Sequence, residues 1–406
     1  MMKAVFKAVP GGTVTSPEGF FAGAVSAGIN ERAAGKLDLA VLFSETPCVA
    51  AGVFTTSKLK SAPVQLTRQR LEGGKAGAVV VNSGCANAFT GEHGLVDAAE
   101  VASLVAEGIG IDQRDVLVAS TGVIGVRLPM KRIRPAVEQI IMSRDGGHDL
   151  AKAMMTTDTL PKETAVGVKV GDSEFTIGGA AKGSGMIHPD MATLLCFLTT
   201  DAAVETGFLK GTLKKAVDAS FNMISVDGDT SPSDTVLLLA NGMAGGEPIS
   251  AASPLVDAFR KALERVCVYL AKLIAADGEG ATRLIEVVIN GAASVKEARQ
   301  AARAVVSSAL VKAAIHGADP NWGRVVAAVG RSGADMDEYR IDLYLGETQV
   351  IKAGRALPVG KRAVNRLLKG KEINLSVNLN LGKGSATAWG CDLSEEYVAI
   401  NSEYMT

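Results

Sequence analysis

The sequence predicts an α+β fold in which sheets and helices form separate layers. Segments with strand-like and helix-like patterns follow one another in mixed order, and few of them form the strand–helix–strand units of a doubly wound sheet. Residues 165–177 read as a hairpin, with Gly171 and Asp172 near its turn. The chain has 406 residues, 47% of them hydrophobic, which is enough for two or three domains and a large core.

The first half of the chain contains short apolar runs that predict strands, at 37–43, 49–55, 78–82 and 116–120. The last two runs lead directly into turns, at Ser83-Gly84 and Thr121-Gly122. Residues 96–108 carry apolar side chains at helical spacing and end at a glycine, a pattern typical of a helix. Polar turn residues therefore follow at least two predicted strands.

The second half contains clearer helix signals. Ser253 and Pro254 predict a helix start, because serine caps helices and proline is tolerated at the first helical position. The apolar repeat that follows ends near Asp277. Ser294 and Glu297 have the spacing of a capping box, which predicts the start of the next helix.

Two strands are predicted around these helices. Residues 284–289 form an apolar run, and between 373 and 381 apolar residues alternate with asparagine and serine, as in a strand with one wet face. A domain boundary is predicted near residues 280–282. It divides the chain into a catalytic domain, 1–280, and a smaller C-terminal α/β domain, 281–406.

The bulk composition argues against several classes of protein. Lys and Arg total 42 and Asp and Glu total 43, which gives a net charge of -1. The chain therefore lacks the excess of basic residues that is typical of nucleic-acid binding. No apolar stretch approaches the roughly 20 residues of a membrane span. The apolar segment within residues 1–10 is too short for a secretory signal. The five cysteines form no Cys-x-x-Cys pair, which argues against zinc and against a disulfide framework. We therefore expect a cytoplasmic protein without a metal.

The segment from Ala181 to Cys196 places Thr193 between a glycine-rich loop and an apolar strand. A hydroxyl at such a boundary is held rigidly and remains accessible. If the chain is cut before Thr193, the threonine gains an α-amino group that can serve as the base for its own hydroxyl. The segment thus favours a self-cleaving acyltransferase with an N-terminal threonine.

Other readings of this glycine-rich loop compete with that one. Residues 178–185 resemble a phosphate loop, but the order Lys-Gly-Ser replaces the required Gly-Lys-Ser/Thr. No helix start follows the loop, so a dinucleotide fingerprint also fails. A plain glycine turn remains an open alternative, and Lys182 reads locally as a surface lysine unless the loop closes on an anion.

Four further sites have weak local signals. Residues 227–234 are rich in aspartate, but they lack the sixth-position glycine and the closing glutamate of a calcium loop. His188 precedes a proline and reads better as a hydrogen-bonded histidine than as a catalytic one. Glu279 reads equally well as a solvated loop carboxylate. Thr121 and Gly122 could aim a hydroxyl and an N–H at one point, as an oxyanion hole requires, but only beside a nucleophile.

Together these segments resemble the glutamate N-acetyltransferase family, also called ornithine acetyltransferases. The resemblance covers nearly the whole chain and includes no departure at a catalytic position. The matching segments are 82–88, 120–125, 155–159, 181–185, 186–201, 234–239, 277–282, 317–324 and 401–406.

The resemblance implies a role for each of these residues. Thr193 is the expected nucleophile, freed by autocatalytic cleavage of the Ala192–Thr193 bond. Thr121 and Gly122 are expected to form the oxyanion hole. The expected substrate contacts are Thr156, Lys182, Thr193, Glu279, Asn401 and Thr406.

The resemblance also implies a fold and an assembly. The fold is the layered α/β/β/α sandwich shared with certain aminopeptidases, followed by the smaller C-terminal domain. Cleavage yields two chains, 1–192 and 193–406, and two copies of each are expected to form a heterotetramer.

The implied reaction is acetyl transfer from N2-acetylornithine to glutamate in arginine biosynthesis. It follows ping-pong chemistry through an acetyl-threonine ester. No bound cofactor is expected. Some members of the family also use acetyl-CoA as an acetyl donor, which makes it a candidate second donor here. Two rival functions are a self-processing aminopeptidase of the same fold and a non-enzymatic assembly protein that uses its glycine-rich loops as an interface.

Overall fold

The computed structural model describes residues 3–30, 35–188, 194–360 and 365–403. The predicted cleavage pair Ala192 and Thr193 and the predicted substrate contact Thr406 lie outside these ranges. Among the described residues, no helix combines the length and the apolar composition needed to cross a bilayer. The five cysteines are buried free thiols.

The larger sheet has the strand order β1-β6-β7-β8-β10-β3-β4-β5, with β2 paired to β3. Its strands are β1 (Val5–Ala8), β2 (Phe20–Val25), β3 (Leu39–Phe54), β4 (Lys75–Asn82), β5 (Val116–Ser120), β6 (Lys162–Val170), β7 (Ser173–Lys182), β8 (Leu195–Thr200) and β10 (Thr235–Ala240). β3 belongs to both halves of this sheet, because residues 39–44 pair with β2 and residues 49–54 pair with β10.

The smaller sheet has the order β14-β13-β12-β15-β11-β16-β9. Its strands are β9 (Ile224–Ser225), β11 (Leu284–Ala292), β12 (Asp342–Leu345), β13 (Thr348–Lys352), β14 (Arg355–Ala356), β15 (Glu372–Asn378) and β16 (Gly384–Cys391). All of them except the short β9 follow residue 283 in the chain.

The helices described are α1 (Ala62–Arg70), α2 (Gly91–Ile109), α3 (Met130–Val137), α4 (Gly147–Ala153), α5 (Thr206–Ala219), α6 (Val256–Ala276), α7 (Val295–Val306), α8 (Ala309–His316), α9 (Trp322–Gly330) and α10 (Glu395–Glu403).

Three apolar clusters define the layers of the fold. The inner faces of the two halves of the larger sheet share one cluster, which includes Leu42 on β3 and Phe197 on β8. A second cluster packs α2 and α3 on the outside of β3, β4 and β5. A third packs α5 and α6 on the outside of β7, β8 and β10, and it continues into the smaller sheet and α7 to α9. The result is the α/β/β/α order that the resemblance implies, and the predicted α+β class is confirmed.

Several predicted elements have different bounds in the structure. The two strands predicted at 37–43 and 49–55 are one strand, β3, with a register shift between Phe43 and Cys48. The predicted helix start at Ser253 and Pro254 is wrong by two residues: α6 begins at Val256, and the Ser253 hydroxyl accepts the Leu255 N–H in the preceding turn.

The other helix cap was predicted correctly. Ser294 precedes α7, and its hydroxyl accepts the backbone N–H of Glu297 at 3.2 Å. The predicted alternating strand is β15, and it ends at Asn378 rather than at residue 381. Asn380 has a φ of +54°, which a strand cannot contain, so the chain turns there although Leu379 is still buried.

Candidate active site

One cavity of about 390 Å³ collects side chains from widely separated parts of the chain. It lies where the segments after β4, β5 and β7 meet the loop before β10 and the C-terminal helix α10. Its lining includes six of the residues predicted to form the site: Thr121, Gly122, Thr156, Lys182, Glu279 and Asn401. A cavity of this size suits an amino-acid substrate.

The predicted oxyanion hole follows the end of β5. The Thr121 N–H donates to Asn82 O at 3.0 Å, which continues the pairing of β5 with β4 and fixes the start of the turn. Gly122 has a φ of +126°, and a Cβ placed there would lie 2.4 Å from the carbonyl carbon of Gly84. Only glycine fits at this position.

Two hydrogen-bond donors of this turn remain available to a ligand. Within the described part of the chain, the Thr121 hydroxyl and the Gly122 N–H have no protein partner, and both residues line the cavity. A hydroxyl and an N–H from adjacent residues are suited to stabilising a developing oxyanion.

Lys182, the last residue of β7, is the buried cation of the site. Only 3% of its surface is exposed, and its Nζ donates to the Thr156 hydroxyl at 2.8 Å. Burial lowers the pKa of Lys182, and the Asp158 carboxylate, 3.6 Å from Nζ, opposes that shift. The ammonium group and the Thr156 hydroxyl are together suited to binding a carboxylate.

A buried ion-pair network, which sequence reasoning missed, supports Lys182. Lys162 Nζ lies 2.7 Å from Asp158 Oδ1 and 2.6 Å from Asp277 Oδ2, and the lysine is completely buried. Asp158 also accepts the N–H groups of Thr156 and Gly183. Burial opposes ionisation of Asp158, but the two ammonium groups outweigh it and hold the pKa of that carboxyl well below its usual range.

Glu279 is a second charged residue of the lining. Its backbone N–H donates to Ser184 O at 2.9 Å, and its Oε2 accepts from Asn401 Nδ2 at 2.8 Å. A Cβ at Gly185 would lie 2.4 Å from the Glu279 carboxyl carbon, so the glycine permits the close approach. Two of the predicted substrate contacts, Glu279 and Asn401, are thus in direct contact with each other, and a carboxylate lines the cavity.

Three backbone N–H groups in and directly after the glycine-rich loop are used within the protein. Gly183 N–H donates to Asp158 at 2.7 Å, and the N–H groups of Met186 and Ile187 donate to Asp227. These three donors are therefore not available to a phosphate group.

The Asp227 carboxylate accepts hydrogen bonds from backbone N–H groups of two loop segments. Besides the glycine-rich loop, its carboxylate accepts the N–H of Asp229 at 3.1 Å. Burial raises the pKa of Asp227 to about 6. His188, as expected, makes a side-chain hydrogen bond, with Ser225 at 3.2 Å. The described residues contain no group of three or more His, Cys, Asp or Glu side chains suited to a metal ion.

Comparisons with known proteins agree with the motifs. A family model for the ArgJ family matches residues 21–406. An arginine biosynthesis bifunctional protein ArgJ from Dehalococcoides mccartyi is 51% identical over 405 residues and covers 100% of both chains. The protein of the same name from Symbiobacterium thermophilum is 54% identical over 397 residues, which are 97% of this chain and 99% of that protein.

A solved structure is also similar to part of the chain. The crystal structure of arginine biosynthesis bifunctional protein ArgJ from Bacillus halodurans shares 43% sequence identity and a TM-score of 0.50. The match covers 51% of this chain and 97% of that chain. On the evidence of the family model and the two full-length relatives, the chain belongs to the ArgJ family.

Proposed function

We propose that the pocket transfers the acetyl group of N2-acetylornithine to glutamate through an acetyl ester on Thr193. The observation that carries this proposal is the convergence of six site residues on one cavity, which holds both a buried cation, Lys182, and an anion, Glu279. The two charges suit the α-carboxylate and the side-chain ammonium of a bound acetylornithine.

Membership of the ArgJ family supports the reaction class. The chain is an acetyltransferase of arginine biosynthesis, and its relatives carry the name arginine biosynthesis bifunctional protein. An aminopeptidase of the same fold and a non-enzymatic assembly protein are not favoured, because the family match extends over the whole pocket-forming chain.

Self-cleavage generates the nucleophile in this proposal. The Thr193 hydroxyl attacks the carbonyl carbon of Ala192, the peptide bond breaks, and an ester forms that water then hydrolyses. The products are chains 1–192 and 193–406. One observation supports this: the Bacillus halodurans chain matches about half of this chain over 97% of its own length, as expected of one cleavage product.

The mature site then carries out two acyl transfers. The α-amino group of Thr193 has an ordinary pKa of about 8. It accepts the proton of the Thr193 hydroxyl as that hydroxyl attacks the acetyl carbon. Thr121 and Gly122 stabilise the oxyanion of the tetrahedral intermediate. Ornithine leaves with the proton, glutamate enters, and its amino group attacks the acetyl-threonine ester and releases N-acetylglutamate.

The side-chain carboxylate of glutamate requires a cation in the pocket, whereas the side-chain ammonium of ornithine requires an anion. Besides Lys182, the lining of the cavity includes Lys36 and Lys152. Lys152 lies 3.8 Å from Asp149, a long and half-exposed ion pair that leaves the ammonium available. We assign the side-chain carboxylate of the acceptor to these two lysines.

We further propose a second acetyl donor and a heterotetrameric assembly. Acetyl-CoA is a second acetyl donor, which fits the word bifunctional in the relatives' name. The enzyme is a cytoplasmic heterotetramer of two copies of each cleaved chain, with Thr406 as an additional substrate contact. Residues 1–280 form the catalytic domain and residues 281–406 the smaller one.

Electrophoresis and mass spectrometry test the nucleophile. Under denaturing conditions the wild-type protein is expected to give two fragments, and Thr193→Ala one full-length band. Brief incubation with acetylornithine is expected to add one acetyl mass to the 193–406 fragment. A single wild-type band with full activity, or an acetyl group on another residue, contradicts the proposal.

A separate assay tests the second donor. The purified enzyme is incubated with acetyl-CoA and glutamate, and N-acetylglutamate is measured. Product formation that disappears in Thr193→Ala supports the second activity. Without product, the enzyme uses acetylornithine alone.

A further inference from the structure

Asp234, the residue directly before β10, contacts the residue that follows the proposed nucleophile. Its Oδ1 accepts the backbone N–H of Leu194 at 3.1 Å. The next residue, Thr235, donates its N–H to Leu194 O at 3.0 Å. Two consecutive residues therefore hold both backbone polar groups of Leu194, at the point where β8 and β10 begin their parallel pairing.

The position of Asp234 is itself fixed by its surroundings. The residue is completely buried, and its carbonyl oxygen accepts the N–H of Thr55 at 3.0 Å. The Thr55 hydroxyl donates to Ser231 O at 2.6 Å, which ties the same loop to the end of β3. A side chain held in this way can act as a rigid support.

The second carboxyl oxygen of Asp234 is unusual. Oδ2 is buried, and it makes no hydrogen bond within the described residues. Buried carboxyl oxygens normally have partners, so an unpaired one calls for an explanation. Burial raises the pKa of Asp234 well above its usual range, and the hydrogen bond from the Leu194 N–H and the charge of Lys182 oppose that shift.

We propose that Asp234 is a positioning residue for the nucleophile, which it orients by holding the Leu194 N–H. The inference rests on the proposed function, because it requires Thr193 to be the reacting residue. A peptide unit is planar and includes the Cα atom of the preceding residue. Holding the Leu194 N–H therefore restricts the orientation of the peptide unit that links Leu194 to the preceding residue.

A substitution at Asp234 can keep or remove this support. The carbonyl oxygen of asparagine accepts the same hydrogen bond with nearly the same shape. Asp234→Asn is therefore the conservative variant, and Asp234→Ala removes the support.

Asp201 provides a matched control at the other end of β8. It is also a buried aspartate that accepts backbone N–H groups, from Thr176 at 2.7 Å and from Glu18 at 3.0 Å. Burial raises its pKa as well. It does not line the cavity, so Asp201→Ala reports the general cost of losing such a residue.

The experiment measures kcat, KM for acetylornithine, the extent of self-cleavage and the thermal midpoint of each variant. For Asp234→Ala we expect kcat to fall by about 10- to 100-fold and cleavage to slow, with KM changed by less than about twofold, since small misplacements of reacting groups have effects of this size. Asp234→Asn is expected to restore kcat to within about threefold of wild type. Asp201→Ala is expected to lower the thermal midpoint and leave kcat nearly unchanged.

Two results would overturn the inference. The first is an unchanged kcat in Asp234→Ala. The second is an equal loss of kcat in Asp201→Ala when the thermal midpoints of the two variants have dropped equally. If Asp234→Ala does not fold, Asp234→Asn and Asp234→Ser are compared, since only Asp234→Asn keeps a carbonyl acceptor of the same reach.

The wild-type acetyl-enzyme separates the role of Asp234 from the proposed function. An acetyl group on Thr193 with an unaffected Asp234→Ala refutes only the role of Asp234, whereas its absence from Thr193 refutes the proposed function.

Discussion

Asn401 on α10 donates a 2.8 Å hydrogen bond to Glu279 Oε2, although 122 residues separate them in the chain. Glu279 is also held at its backbone by Ser184 of the glycine-rich loop. The bond therefore joins the C-terminal helix to the loop that leads toward the proposed cleavage site. It also fixes one oxygen of a carboxylate group that lines the cavity.

Glu279→Gln is expected to impair binding of the donor more than binding of the acceptor. The variant keeps an oxygen for the Asn401 amide but loses the charge that pairs with the ornithine ammonium. Charged hydrogen bonds contribute about 1.5–3 kcal/mol, so KM for acetylornithine should rise about 10- to 100-fold. Steady-state kinetics with each substrate varied in turn measures the effect. An unchanged KM for acetylornithine removes Glu279 from the site.

Thr121→Val is expected to lower kcat with little change in KM. The substitution removes one oxyanion donor and keeps the shape of the side chain, and loss of one such donor costs about 10²- to 10³-fold in kcat. Thr121→Ser keeps the hydroxyl and is the matched control. Its kcat should remain within about fivefold of wild type, by the same reasoning. Equal activities of the two variants would show that the hydroxyl does not contact the oxyanion.

The sequence predicted the parts of the site that depend on local chain features. The strand 116–120 has the predicted bounds, and its end places Thr121 and Gly122 at the cavity. The continuity of β3 was missed because the polar residues 44–46 and Pro47 separate the two apolar runs at 37–43 and 49–55. Pairing with β2 and the register shift before Cys48 carry the strand through that segment.

The buried network below Lys182 could not be predicted from local patterns. Asp158 and Lys162 lie four residues apart, a spacing that is common on exposed surfaces, and Asp277 is distant in sequence. Their burial arises only when β6, β7 and the end of α6 pack together, and single-residue propensities carry no information about that contact. The one available signal was that both aspartates lie within motifs of the resemblance.

Lys162→Met is expected to destabilise the protein strongly. It leaves the carboxylates of Asp158 and Asp277 buried without one of their counter-ions, and removing one partner of a buried pair costs about 3–5 kcal/mol. Lys169→Met on the same strand is the control, since its 3.4 Å pair with Glu174 is exposed and should contribute less than about 1 kcal/mol. Urea unfolding of both variants gives the comparison. Equal midpoints would contradict the network's role in stability.

Lys152→Met tests the assignment of the glutamate side chain. Removing the cation should raise KM for glutamate about tenfold, in line with the loss of a partly exposed charged hydrogen bond, and leave KM for acetylornithine unchanged. The double variant with Lys36→Met should have a larger effect. Lys131→Met, an exposed lysine that does not line the cavity, is the control. A parallel rise in both KM values would instead indicate general damage to the pocket.

Asp227→Asn is expected to change how stability depends on pH. Burial raises the pKa of Asp227 from 3.8 to about 6, so the folded protein binds a proton more tightly than the unfolded chain does. This contribution to stability is complete below about pH 4 and is lost as the pH rises through about 6, with a size of up to about 3 kcal/mol. Asparagine does not titrate, so the loss should be absent from the variant.

Thermal midpoints between about pH 4.5 and 7.5 measure this difference. An asparagine amide has a single acceptor oxygen, so the variant loses one of the bonds from the Met186 and Ile187 N–H groups and should begin with a roughly constant deficit. The variant should therefore gain stability relative to wild type as the pH rises, even if its midpoint is lower at the acid end of the range. Asp229→Asn, an exposed residue of the same loop, is expected to follow the wild-type profile. Parallel profiles for wild type and Asp227→Asn would show that this carboxyl group does not titrate with a raised pKa.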